Sequence, residues 1–261
     1  MSRVDRPRRG GRGLRITLFV VLGLLVVLVA ADRIGLLIAE HTVAGQVRTH
    51  LASEGVTFDG DPHVTIHGFP FLTQVLAGHY DRVDISITNP STLGVRLDSL
   101  TISARDVSAP TGALIAGNGH IEAATVAGTG SLDWTAFTQL VDLSGVKQYG
   151  IDPKAIRIGS ADAGHVSIQA PASLDGQTFT VNATGTISVK QNILHVGVSN
   201  VTASDTALPP RFSPTLNAIA KQFTFDVRIP QLPYRLSLDS VRATAQGIAI
   251  TASARDIVLG G

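Results

Sequence analysis

"VTIHGFPFLTQVLAGHYDRVDISI", Val64 to Ile87, sets two strand patterns on either side of an oily bend. Val64 and Ile66 alternate with Thr65 and His67. Val83, Ile85 and Ile87 alternate with Asp84, Ser86 and Thr88. Both have the period-two pattern of a strand with one dry face. Between them "GFPFL" (Gly68–Leu72) packs two phenylalanines and a leucine around a proline, where a turn should be polar. Pro70 fixes the bend and keeps Phe69 and Phe71 out of a strand ladder.

More strands follow. Val95 and Leu97 lead into Leu100, Ile102 and Val107, with Asn89-Pro90-Ser91 reading as a turn before them. Further alternating segments are Val166–Ile168, Phe179–Val181, Ile187–Val189, Leu194–Val198, Phe223–Ile229 and the long run Leu236–Leu259. Few breakers interrupt these runs, so long antiparallel strands are expected. "LDSLTISARDVS" (Leu97–Ser108) is echoed by "LDSVRATAQGIAITASARDIVL" (Leu238–Leu259). Both begin Leu-Asp-Ser and both carry Ser-Ala-Arg-Asp before Val or Ile. Either an Ala/Ser-rich chain repeats itself by chance, or the two strands hold related places in one sheet system.

Three helices are expected. From Asp32 to Glu54, Ile34, Ile38, Val43, Val47 and Leu51 form one apolar stripe, which Gly55 ends. In "GTGSLDWTAFTQLVDLSG", Asp133 fits an N-cap, with Leu132 and Phe137 as the apolar pair stapling the first turn. In "FSPTLNAIAKQF", Ser213 caps and Pro214 takes the first helical position.

The chain has 261 residues, 44% of them hydrophobic and 16% charged, against about 25% charged in typical globular chains. Six arginines and Asp5 precede Ile16 and give that tail +5, so the remainder carries −4 of the overall +1. An acidic body lacks the broad basic surface that nucleic-acid binding needs. There are no cysteines, which excludes disulfides, thiol catalysis and thiolate metal sites.

"ITLFVVLGLLVVLVAA" (Ile16–Ala31) is free of charge and follows the arginines. At 1.5 Å per residue it spans about 24 Å, slightly short of the ~30 Å hydrocarbon layer. Two readings stand. It is an uncleaved anchor with the arginines inside, or a signal peptide cut after Val29-Ala30-Ala31. Either exports the body. The chain then divides into a basic tail (1–15), the anchor or signal (16–31) and an exported domain (32–261). With an anchor, the following helix continues straight out of the membrane.

Catalytic motifs are weak. His63 and His67 on one strand face stand about 13 Å apart, too far to share a metal ion. Asp59-Gly60-Asp61-Pro62 has a carboxylate pair but reads as a turn. Ser144–Lys147 fits Ser-x-x-Lys without its partner motifs. His79 with Asp81 and Asp84 is the one acid–base grouping, of a kind common among exposed polar neighbours. The expectation is no enzyme, no metal and no cofactor.

In "VTIHGFPFLTQVLAGHYDRVDISI", with Gly68–Gln74 and Gly78 as the specific piece and a "LDSLTISARDV" strand after it, the chain resembles the LmeA-like phospholipid-binding family of actinobacterial envelope proteins. The order of basic tail, membrane segment and helix ending near Gly55 is similar too. The resemblance covers nearly all of the exported part, most clearly Asp32–Val107, and is looser toward the C-terminus. It implies a non-catalytic protein binding a phospholipid or related glycolipid, acting in envelope glycolipid maturation. It also implies an α+β fold like the tubular lipid-binding proteins, a long curved antiparallel sheet wrapping an N-terminal helix.

The residues point the same way. A long sheet against the Asp32–Glu54 helix has more apolar inward positions than a small core needs, and the excess can line a groove. Burying acyl chain is worth about 0.8 kcal/mol per CH₂, so a 16-carbon tail represents roughly 12 kcal/mol. A carrier must offer a wall nearly as dry and apolar as the bilayer. Phe69, Phe71, Leu72, Val75 and Leu76 then form a lipid-binding mouth or membrane-touching lip; the competing reading makes them a plug closing the end of the sheet. A structural envelope protein with a filled core, or a glycolipid-modifying enzyme using Asp59/Asp61 or His79/Asp81, are the alternative functions.

Overall fold

The computed structural model describes residues 11–92, 95–110, 112, 120–141, 143–162, 164–174, 177–204, 218, 224–228 and 236–259. One helix, α1 (Gly11–Ser53), runs unbroken for 43 residues, and the expected stripe divides: Val43 packs toward the domain with Leu36 and Ala39, while Ile34 and Ile38 point outward. No proline falls within it. Gly55 at φ 74 ends it, and the Val56 N–H turns back to the Leu51 carbonyl at 2.9 Å.

The strands are β1 (Thr57–His67), β2 (His79–Thr92), β3 (Val95–Arg96), β4 (Ser99–Ser108), β5 (Ile121–Asp133), β6 (Arg157–Asp162), β7 (His165–Leu174), β8 (Gln177–Lys190), β9 (Ile193–Ser204), β10 (Phe225–Arg228), β11 (Ser237–Ala243) and β12 (Gly247–Leu259). Helix α2 (Phe71–Ala77) joins β1 to β2, and α3 (Trp134–Leu140) follows β5. The α+β class, with antiparallel strands and an N-terminal helix, is as expected. The strands form two sheets. One runs β1-β2-β4-β5-β12-β11 with β3 paired to the end of β2, and the other runs β10-β9-β8-β7-β6. α1 lies along β1: the Glu40 carboxylate accepts the Ile66 N–H at 2.9 Å, and Arg48 meets Asp61 at 2.8 Å.

Two cores result. The first joins α3, the inner face of the second sheet and one end of the first sheet, through Phe137, Val146, Val166, Val181, Leu132 and Ile248. The second sits at the opposite end of the first sheet, where Leu36 of α1, Phe71 of α2 and Val64, Ile66, Tyr80, Val107 and Ala123 meet.

The sequence echo is architectural. β4 and β12 flank β5 in one register: Ser103 and Ser253 both face Ala127, Arg105 and Arg255 both face Thr125, and Val107 and Ile257 both face Ala123. Asp106 and Asp256, the aspartates of the shared motif, take φ 52 and 51. Short polar side chains tolerate this left-handed region better than most.

Several expectations need correction. Asn89-Pro90-Ser91 is no turn but part of β2, where Asn89 bends the strand at φ 50 while Leu97 still donates to the Pro90 carbonyl at 2.9 Å. Asp59-Gly60-Asp61-Pro62 lies within β1 as a bulge around Gly60 at φ 72, not in a turn before it. Leu236–Leu259 is a hairpin closed by the Thr244 N–H on the Gly247 carbonyl at 2.8 Å. A Cβ on Gly247 would land on the Leu132 carbonyl, so only glycine fits there. The helix over Phe212–Phe223 lies outside the described residues. Asp133 caps α3 as expected, accepting the Ala136 N–H at 2.7 Å.

Candidate functional site

The inner face of the first sheet changes along its length. Directly paired residues share a face, so the registers define its rungs. The rung Val64–Ile85–Ile102–Gly128–Ala252–Leu238 crosses the sheet, followed by Ile87–Leu100–Gly130–Ile250–Val241. Apart from Val64 and Ile87, these positions are only half-buried. Leu100, Ile102, Ala252 and Leu238 fall between the two cores and belong to neither. A Cβ on Gly128 would meet nothing nearer than the Ala252 carbonyl at 4.0 Å. Small side chains therefore line the middle of an apolar strip, with branched ones on both sides. The opposite face is polar, with rungs such as Thr65–Asp84–Ser103–Ala127–Ser253. Two open dents lie on the outer side of α1, around Leu37–Thr42 and Thr42–Ser53. The strip is an open face, not a closed tube.

α2 stands at one end of that face. Gly68 at φ 110 begins the bend, the Phe69–Pro70 peptide is cis, and Gly78 at φ 64 closes the helix. A side chain on Gly68 would land on the Gln74 amide and the Asp81 carboxylate. Gln74 is buried and ties both ends of the bend together. Its amide donates to the His67 carbonyl at 3.2 Å, and its oxygen accepts the Asp81 N–H at 2.9 Å. α2 has no cap from its own N-cap residue, Pro70. Asp32 of α1 supplies one, accepting the Leu72 N–H at 2.8 Å.

The five residues named for a lip separate. Phe71 is 4% exposed and belongs to the second core, its ring 6.4 Å from that of Tyr80. Val75 is half-buried against the same core. Phe69 is 60% exposed with the Arg33 guanidinium 4.9 Å above its ring; Leu72 is 38% and Leu76 88% exposed. One side of the bend plugs the sheet and the other faces outward, because a seven-residue helix presents two faces.

The candidate acid–base groups do not converge. His63 pairs with Ser86 across the strands, and His67 instead meets Asp84 at 2.7 Å. Burial pushes the Asp84 carboxyl up, but the Ser103 hydroxyl, His67 and the Arg82 guanidinium outweigh it and hold it below its ordinary value. His79 turns to Ser108 at 3.4 Å, while Asp81 is held at its backbone by Gln74. Asp59 meets Asn89 at 2.7 Å and Arg96 at 3.4 Å, and Asp61 meets Arg48. Ser144–Lys147 is a turn of 3₁₀ helix. Among the described residues no three His, Asp or Glu side chains gather as a metal site.

Sequence reasoning missed β5, and with it the middle of the strip, because Gly128 and Gly130 dilute its alternation. It also missed Asp32 and Gln74. An aspartate directly after an apolar run was the available signal for the first.

A family model described as LmeA-like phospholipid-binding matches residues 30–253. No curated protein and no solved structure matches the chain.

Proposed function

The chain belongs to the LmeA-like phospholipid-binding family, and from that premise we propose that it is a non-catalytic lipid binder whose acyl-chain site is the half-buried strip of the first sheet. The observation that carries this reading is the middle of the strip: Leu100, Ile102, Ala252 and Leu238, apolar, half-buried and part of neither core, with Val64 and Ile85 packed on one core and Ile250 and Val241 on the other. Folded proteins bury such surface or cover it with a partner. An acyl chain gains most of its transfer energy by covering it.

The exposed residues Phe69, Leu72 and Leu76 serve as the lip where lipid passes between bilayer and strip, with Phe71 and Val75 fixing the lip to the core. Residues 1–15 form a cytoplasmic tail, 16–31 an anchor and 32–261 a domain outside the cytoplasm. The arginine-rich flank favours that orientation. The lipid is a phospholipid or related glycolipid, and the role is support of envelope glycolipid maturation.

Mass spectrometry of lipid retained by the full chain after delipidation and incubation with phospholipid vesicles tests the reading. Stoichiometric phospholipid is expected. A folded chain that retains none supports instead a structural protein with a closed core.

A further inference from the structure

The outward side of α1 records where a membrane would end. Leu18–Val29 are exposed and apolar, and Ile34, Leu37 and Ile38 continue that surface on the side turned away from the domain. The next exposed positions are His41, Thr42 and Gly45, so the change from apolar to polar falls after Ile38. From Ile16 to Ile38 the helix rises about 34 Å, enough to cross the ~30 Å hydrocarbon layer that Ile16–Ala31 alone falls short of.

α2 is fastened below that level. Asp32 holds the Leu72 N–H, a Cβ on Gly35 would touch Leu72 and Phe71 at 3.7–3.9 Å, and Arg33 covers Phe69. Asp32 lies roughly 9 Å before Ile38 along the helix. An aspartate at the centre of a membrane helix costs about 2.5–3.5 kcal/mol on insertion scales. Here the residue is 2% exposed, its charge covered by α2. Outward on the bend and α2 stand Phe69, Leu72, Leu76, Ala77 and Thr73, and the one polar group among them, the Thr73 hydroxyl, donates to the Pro70 carbonyl at 2.8 Å.

We propose that the bilayer rises to Ile38 on α1, so that α2 is sunk in the outer part of the leaflet and the domain is seated on the membrane rather than tethered above it. This rests on α1 being a retained span, and it deepens the lipid-binding reading by placing the lip within its lipid source. This end of the sheet carries charge of both signs: Arg82, Arg105 and Arg255 share one rung with His67, and the exposed acids Asp81, Asp106, Glu122 and Asp256 lie beside it. With the charges mixed, insertion rests on the apolar side chains of the bend and is expected at both low and high salt.

The absence of cysteine makes the test direct. Val26→Cys, Leu76→Cys and Glu54→Cys are made separately in the full chain, labelled with a polarity-sensitive fluorophore, and reconstituted in phosphatidylcholine vesicles. Quenching by acyl-chain nitroxide lipid is compared with quenching by iodide, at low and high salt. Val26 and Leu76 labels are expected to be quenched by the nitroxide lipid several-fold more than Glu54, and to be shielded from iodide at both salts. A Leu76 label that behaves like Glu54 while Val26 stays lipid-quenched overturns the proposal, as does a Val26 label open to iodide. Retained lipid is measured separately. Its absence with Leu76 still embedded would remove the lipid-binding reading and leave the seating intact.

Discussion

Asp32 and Leu72 are forty residues apart, yet the carboxylate of one accepts the backbone N–H of the other at 2.8 Å. α2 is too short to stand by itself, and its N-cap, Pro70, provides no side-chain acceptor. The long helix therefore caps the short one and fixes its position. Asp32→Ala is expected to lower stability by about 1–2 kcal/mol, with Asp32→Asn recovering part of the loss. Thermal unfolding of the full chain in detergent micelles measures both. Equal, unaltered midpoints would mean that the cap carries no weight.

The two phenylalanines of the bend predict opposite phenotypes. Phe71→Ala empties a core position and is expected to cost about 3–5 kcal/mol. Phe69→Ala removes an exposed ring and should leave the melting midpoint nearly unchanged, while slowing lipid uptake from vesicles several-fold. Uptake at the original rate by Phe69→Ala, Leu72→Ser and Leu76→Ser combined would exclude the lip.

Ala252 lies in the middle of the strip. Ala252→Trp would cover the floor that an acyl chain is proposed to occupy, at a half-buried position with room for the ring. Retained phospholipid should fall several-fold, with circular dichroism and melting unchanged. A folded Trp variant carrying as much lipid as the original would place the lipid elsewhere.

Asp84 gives a pH dependence with a defined sign. Its folded-state carboxyl titrates below its ordinary value of 3.8, so the native state favours the charged form. That contribution is complete above about pH 5 and is lost as pH falls through the lowered value. The stability gap between the original chain and Asp84→Asn should therefore be widest near neutrality and close on acidification. A gap of constant width down to acid pH would show that the charge is not the cause.

The sequence made the strand count uneven, showed α1 and α3, and hid α2, which read only as a bend. Alternation was clear where Val and Ile fill the dry face, as at Val83–Ile87, and faint in β5, where Gly128 and Gly130 take those places. Asn-Pro misled because a left-handed residue can bend a strand as well as end one, and Asn89 does the former. Neither could periodicity separate Phe69 from Phe71. Which ring points inward is decided by Asp32 and Gln74, contacts forty and seven residues distant in the chain. The Ser-Ala-Arg-Asp echo was legible as text. That both copies would stand beside the same residues of β5 was not, since β5 itself went unread.

The unbroken course of α1 has a mechanical result. From Gly11 to Ser53 no proline or break interrupts the helix, so, with α1 read as a retained span, the domain would stand on a stiff post. On that reading it would sweep only the ring of leaflet around its own base and could not shuttle cargo across the gap to a second membrane. Whatever received the proposed lipid would have to come to the post.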